Sequence, residues 1–321
     1  MNPHFDVVTF GEAMVMFVAD EPGELHQIEH FSRKMAGAEA NVAVGLSRLG
    51  FKVGWMSKLG RDPLGKYISS VLNSEQVNMQ AVLIQDDRST GFQLKAKAVS
   101  GGDPQVQYFR RFSAASTMSI DDFDASYYLG ARHIHLTGIA PALSDSCYHM
   151  AESIMKQAGA AGIPITFDPN LRPTLWPGEE AMKKGINRLA AQADWVLPGL
   201  SEGTFLTGFT APSDIAAFYL DQGAKGVCIK LGPEGAYCRT REEACTVPGF
   251  KIAQVLDTVG AGDAFAAGFI SGLLSGLSLM EAVRRGNAMG ALAVTSTGDS
   301  DGLPAMQQLL EFMNSERSAQ Q

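Results

Sequence analysis

Basic residues, cysteines and histidines are all scarce in this 321-residue chain, and each scarcity closes off a class of function. Lys and Arg number 26 against 34 Asp and Glu, a net charge of −8. Nucleic acids and anionic membranes are held mainly through Lys and Arg, so neither suits a surface of this sign. The four cysteines, Cys147, Cys228, Cys238 and Cys245, show no CxxC spacing. They read as free structural thiols rather than a disulfide framework or a zinc site. Histidine is absent after His149. Gly199-Leu200-Ser201-Glu202-Gly203 matches the GxSxG nucleophile elbow, but that triad runs Ser, acid, His along the chain and no His follows Ser201. His133 and His135 sit two apart in a strand-like run and share a face, as a metal pair would, without a clustered third ligand.

Long apolar runs and familiar phosphate loops are missing as well. The longest apolar run, Ala264 to Leu274, is too short to cross a bilayer, which takes about 20 such residues. The opening MNPHFDVVTFGEAM lacks the basic start, apolar stretch and cleavage site of a signal peptide, so the chain is expected in the cytoplasm. No GxxxxGK(S/T) occurs, which removes P-loop phosphate binding. The first strand-like run ends in Gly11-Glu12-Ala13-Met14 with no GxGxxG, which counts against a nicotinamide-binding Rossmann domain.

What is present is an α/β rhythm. Apolar, β-rich runs at 7–10, 53–59, 133–138, 165–168, 195–198 and 227–232 alternate with helical patterns at 38–49, 62–74, 144–160, 178–193 and 213–222. Such alternation predicts a mostly parallel sheet between helical layers, with ligands at the strands' carboxyl edge. The stretches 12–36 and 88–112 break the rhythm with short strand-like runs, MVMFV, GFQLKAKAV and VQYFRRF. They read as a small β lid on a body formed by 1–11, 37–87 and 113–321, with a polar, frayed tail after Met313.

The most informative stretch is DTVGAGDAFAAGF at 257–269. Gly260 and Gly262 permit a tight turn that approaches a ligand closely, and the amides of Gly260, Ala261 and Gly262 open a helix whose first donors lack internal partners. Asp263 beside such an anion cradle is either a helix cap or a base; phosphoryl transfer to an alcohol needs a cradle and a base together.

With MAGAEANVAVGLSRLG at 35–50, this segment makes the whole chain resemble the ribokinase-like, or PfkB-type, carbohydrate kinases. The resemblance implies a three-layer α/β/α body with a β lid, ATP and Mg2+ as cofactors, and room for a monovalent cation. Asp263 would then be the base, with Gly260, Ala261 and Gly262 as the anion hole. Gly37 and Asn41 would contact the sugar, and Lys230, Gly232, Gly235 and Asn287 would contact ATP. Glu202 would organise magnesium through water, although Gly199 stands where the family's usual Asn would be.

The stretches YFRRFSAAS, DPNLRP and LPGLSE look like the branch that acts on keto sugar acids. There Tyr108, Arg110, Arg172 and Asp299 would meet the substrate, guanidinium forks suiting its carboxylate. Gln93 stands where Tyr is common in kinases of 3-deoxy acids, and Gln can bond a C3 hydroxyl. The resemblance implies 2-keto-3-deoxygluconate as the acceptor; Gln93 weakens that choice and brings 2-ketogluconate almost level, with a neutral sugar as the remoter rival. The partners implied are small molecules and further copies of the chain, joined through the lid's exposed edge.

Overall fold

The computed structural model describes residues 4–97 and 104–319. Ala98 and Val99, the end of the run GFQLKAKAV, lie outside them. The strands are β1 Val7–Phe10, β2 Met14–Ala19, β3 Phe31–Ala36, β4 Val53–Gly60, β5 Val82–Gln85, β6 Phe92–Lys95 and β7 Val106–Phe109. They continue with β8 Ile134–Thr137, β9 Ile165–Asp168, β10 Trp195–Val196, β11 Gly226–Lys230, β12 Ala236–Thr240 and β13 Ala244–Val247.

Two sheets result. The larger has nine strands in the order β13-β12-β11-β10-β9-β8-β1-β4-β5. Neighbours from β5 to β11 are parallel, and β12 and β13 add an antiparallel edge. Because strand side chains alternate, Val7 and Val8 on β1 enter two different cores. Val7 packs with Val42 and Leu46 of helix Ala38–Arg48 and Phe269 of helix Ala261–Leu274. Val8 packs with Ile154 of helix Asp145–Ala160 and Ile186 of helix Glu179–Ala190. Helices therefore cover both faces, giving the three layers expected, and both faces of the central strands are dry.

The smaller sheet has the order β3-β2-β6-β7 and draws its strands from the two stretches that break the rhythm. Strands β5, β12 and β13 and the helices Ala125–Leu129 and Leu200–Thr207 are additions to the sequence reading. A further correction concerns the tail: helix Met306–Ala319 continues past Met313, with Leu309 buried in the core against the body. The four cysteines are free thiols, as expected.

Candidate active site

Gly260 adopts a left-handed φ of 85°, and a Cβ there would lie 2.5 Å from the backbone oxygen of Asp299. Only glycine fits this turn. Helix Ala261–Leu274 begins immediately after it, with Gly260 in the cap position, so Asp263 is the helix's third residue and caps nothing. Its carboxylate instead accepts from two asparagines of other elements: Asn41 Nδ2 to Oδ2 at 2.8 Å and Asn170 Nδ2 to Oδ1 at 3.4 Å. Burial raises the pKa of Asp263; the Asn41 donor and the cations Lys230 and Arg172 pull it only part of the way back. A carboxylate tuned upward in this way is a competent proton acceptor near neutral pH.

Asp263 lines a cavity of about 340 Å³ at the carboxyl edge of the large sheet. Gly260, Gly262, Lys230, Arg172 and Glu202 share its body wall. Gly37, Asn41 and Asp299 lie beside them. Across the cavity, the small sheet contributes Gln93, Tyr108 and Arg110. Residues spread from Gly37 to Asp299 in sequence thus meet around one space. Ala261 does not line it; its amide donates to the carbonyl of Thr258 at 3.4 Å.

The walls are charged, and most of the charges are already paired. Lys230 Nζ lies 2.5 Å from Asp168 Oδ2, which makes Lys230 a half-buried, partnered cation rather than a solvated strand end. Burial lowers its pKa, but Asp168, Glu202 and Asp263 outweigh that and hold it above the ordinary value. Arg110 donates from both Nε and Nη2 to Glu12 Oε2 at 2.6 Å, while Ser113 donates to Glu12 Oε1. Arg111 is exposed, as its neighbouring strand position predicts. Arg172 differs from Arg110: its Nη1 donates to the carbonyls of Asn170 and Leu171, and it has no ion pair among the described residues.

Several of these partners were not picked out from sequence. Lys95 lines the cavity and pairs with Asp257 and Asp299, and Glu39 is buried with its Oε1 accepting from Thr137 at 2.7 Å. Burial pushes Glu39 up to about 7 and Asp299 up to about 6, in the second case against the pull of Lys95.

The profile of a family described as pfkB family carbohydrate kinase matches residues 4–306. The chain belongs to that family. A 2-dehydro-3-deoxygluconokinase from Bacillus subtilis (strain 168) is 50% identical over 317 residues, 98% of each chain. Among solved structures, a PfkB protein from Polaromonas sp. JS666 matches with a TM-score of 0.88 at 48% identity, covering 95% of this chain and 99% of that one. A putative ribokinase II from E. coli, in complex with ATP and Mg2+, matches with a TM-score of 0.89 at 25% identity, covering 97% and 99%. The protein is thus a carbohydrate kinase, a phosphotransferase with an alcohol as acceptor.

Other positions read from sequence lie outside this kinase's cavity. Gly232 and Gly235 flank a short turn after β11 with φ of 62° and 101°. A Cβ on Gly235 would meet the Val247 oxygen at 2.1 Å, so this glycine permits close packing against β13. Asn287, on helix Leu279–Ala293, donates to the carbonyls of Val247 and Pro248 at 2.9 and 3.1 Å. His133 and His135 are buried in the sheet, both pushed down by burial, His133 bonded to Thr166. Among the described residues no three His, Cys, Asp or Glu side chains form a metal cage.

Magnesium does not require such a cage, since it keeps its waters and relies on one or two carboxylates plus substrate phosphates. Glu202 fits that indirect mode. Its Oε1 accepts from the Leu171 amide and its Oε2 from the Gly199 amide, both at 2.8 Å, which fixes the carboxylate at the cavity wall. No helix among the described residues is long and apolar enough to cross a membrane.

Proposed function

We propose that the chain is an ATP- and magnesium-dependent kinase that phosphorylates the terminal hydroxyl of 2-keto-3-deoxygluconate in the cytoplasm. The observation that carries the reading is the joint presence, in one cavity, of Asp263 and a guanidinium, Arg172, without a carboxylate partner. A neutral sugar has no need of that cation; a sugar acid supplies the carboxylate it lacks. The name of the Bacillus relative supports the same acceptor.

In this reading Asp263 removes the hydroxyl proton while the Gly260–Gly262 turn faces the phosphoryl group. Asn41 and Asn170 aim the carboxylate, since both can only donate to it through their amide nitrogens. ATP lies along Lys230, Gly232 and Gly235 with its base towards Asn287. Magnesium supplies neutralisation of phosphate charge, and Glu202 holds its waters. Gly37, Gln93, Tyr108, Arg110 and Asp299 seat the acid beneath the small sheet, which acts as a lid that excludes water.

The lid's outer face supports a homo-oligomer. Phe109 is exposed there and stacks at 4.6 Å on Phe92, which meets Phe17 edge-on at 6.2 Å and, like it, is partly buried against the body's core. A cluster of this kind on an exposed surface suits a second copy of the chain.

The test is an ADP-coupled assay with magnesium against 2-keto-3-deoxygluconate, 2-ketogluconate, gluconate, fructose and ribose. Highest kcat/KM on the deoxy acid supports the proposal, and preference for fructose or ribose overturns it. Preference for 2-ketogluconate would assign its C3 hydroxyl to Gln93, which is buried at the cavity wall. Repeating the assay in potassium, sodium and tetramethylammonium salts reads the monovalent-ion dependence.

A further inference from the structure

We propose that Lys95 is a positioning residue for phosphoryl transfer, its buried ammonium tying the small sheet to the catalytic turn through Asp257 and Asp299. The inference rests on the kinase reading given above. It begins with strand alternation: on β6 Gln93 and Lys95 face the cavity, while Phe92 and Leu94 are on the opposite face. Lysine is among the residues least often buried without a partner, yet Lys95 is only 2% exposed. Its Nζ lies 2.5 Å from Asp257 Oδ2 and 3.5 Å from Asp299 Oδ1.

Both carboxylates flank the turn that carries Gly260, Gly262 and Asp263. Asp257 accepts the Val259 amide on its other oxygen at 3.1 Å, so the same side chain holds the start of the turn and the lysine. On the far side, the Asp299 backbone packs against Gly260 so closely that a Cβ would not fit. One ammonium from the small sheet therefore fixes the turn from two directions. Asp299 Oδ1 is buried, and among the described residues its partner is the Lys95 ammonium at 3.5 Å, which sets the direction of the carboxylate.

The consequence is that seating the small sheet over the sugar and shaping the phosphate turn are one event. Without the ammonium, two buried carboxylates repel each other beside the turn, and the amides lose their alignment with the phosphoryl group.

The experiment compares the full-length wild type, Lys95→Met and the double variant Lys95→Met/Asp257→Asn. The double variant removes one of the two buried carboxylates that Lys95 neutralises, leaves Asp299 as the other, and retains the Oδ1 acceptor for Val259, so it carries less uncompensated charge than the single variant. Expected is a fall in kcat on the order of a hundredfold in both, with KM for ATP within about twofold, as for reactants held in the wrong alignment. Amide hydrogen exchange across 258–263 should accelerate in both variants without any substrate. A double variant with kcat within about threefold of wild type would show that Lys95 merely neutralises Asp257, and unchanged exchange across the turn would also overturn the proposal. Failure of the wild type to phosphorylate any sugar acid would remove the substrate reading alone, because the exchange comparison needs no acceptor.

Discussion

The two sheets of this kinase turn different chemistry toward their neighbours. The central strands of the large sheet bury apolar residues on both faces, with Val7, Ile134, Ile165 and Phe167 locked between helices, and their cavity-lining charges, Asp168 and Lys230, stand at the carboxyl edge. The small sheet turns polar and charged residues inward, Gln93, Lys95, Tyr108 and Arg110, and leaves Phe109 45% exposed on its outer face. The large sheet is held mainly by burial; the small one adds to its buried Val15, Met16 and Met35 the ion pairs of Arg110 with Glu12 and Lys95 with Asp257. A stable platform and a substrate-facing cover thus use different physics, and substitutions should separate them.

The largest separation is expected from Asp263→Asn. Turnover should fall by roughly a hundredfold or more, the scale of a lost general base, while the melting temperature stays level or rises because a buried carboxylate is relieved. Turnover near that of wild type in a steady-state assay would remove the base. Next, Phe167→Ala, fully buried on β9, should cost about 3–5 kcal/mol in urea unfolding and leave kcat of the folded protein unchanged. Phe109→Ala, by contrast, should cost under about 0.5 kcal/mol in the isolated subunit and weaken self-association in light scattering. Equal stability losses at the two positions would break the comparison between the sheets.

Glu39 tests charge hidden in the body. Its carboxyl titrates near 4.5 when unfolded and about 7 in the folded protein, so the folded state binds more protons between these values and stability falls as pH rises through that window. Glu39→Gln should flatten the slope, by up to about 3 kcal/mol in unfolding free energy at pH 8 relative to pH 4. An unaltered pH profile of stability would show that Glu39 does not carry the effect. Smallest, Arg172→Ala should raise KM for the acid about tenfold, the scale of one lost charge-assisted bond, with no change in melting temperature. A normal KM would move the carboxylate to another cation.

Much of the body was legible from sequence because central parallel strands concentrate apolar β-formers between helices with a clear period. Edge strands carry weaker signals: β5 reads VLIQ and is only partly buried, and β13 alternates exposed and half-buried positions. In the active site, the residues recovered were those inside motif-bearing segments. The missed ones are defined by partners far away in sequence, 162 residues for Lys95 with Asp257 and 98 for Glu39 with Thr137. Lys95 did leave one trace: it stands two positions after Gln93 in a run read as a strand, and so on the same face.

The place of β1 has a consequence for how the enzyme is made. Strand β1, made before the other strands described, lies inside the large sheet, between β8 and β4, and waits for both neighbours. Asn41 then waits longer still, for an Asp263 that emerges 222 residues later. A growing chain that has passed β13 already possesses Gly37, Asn41, Tyr108 and Arg172 but has neither the 257–263 turn nor Asp263. Until residues 257–263 leave the ribosome, the nascent protein carries most of the cavity's lining without the turn that closes it.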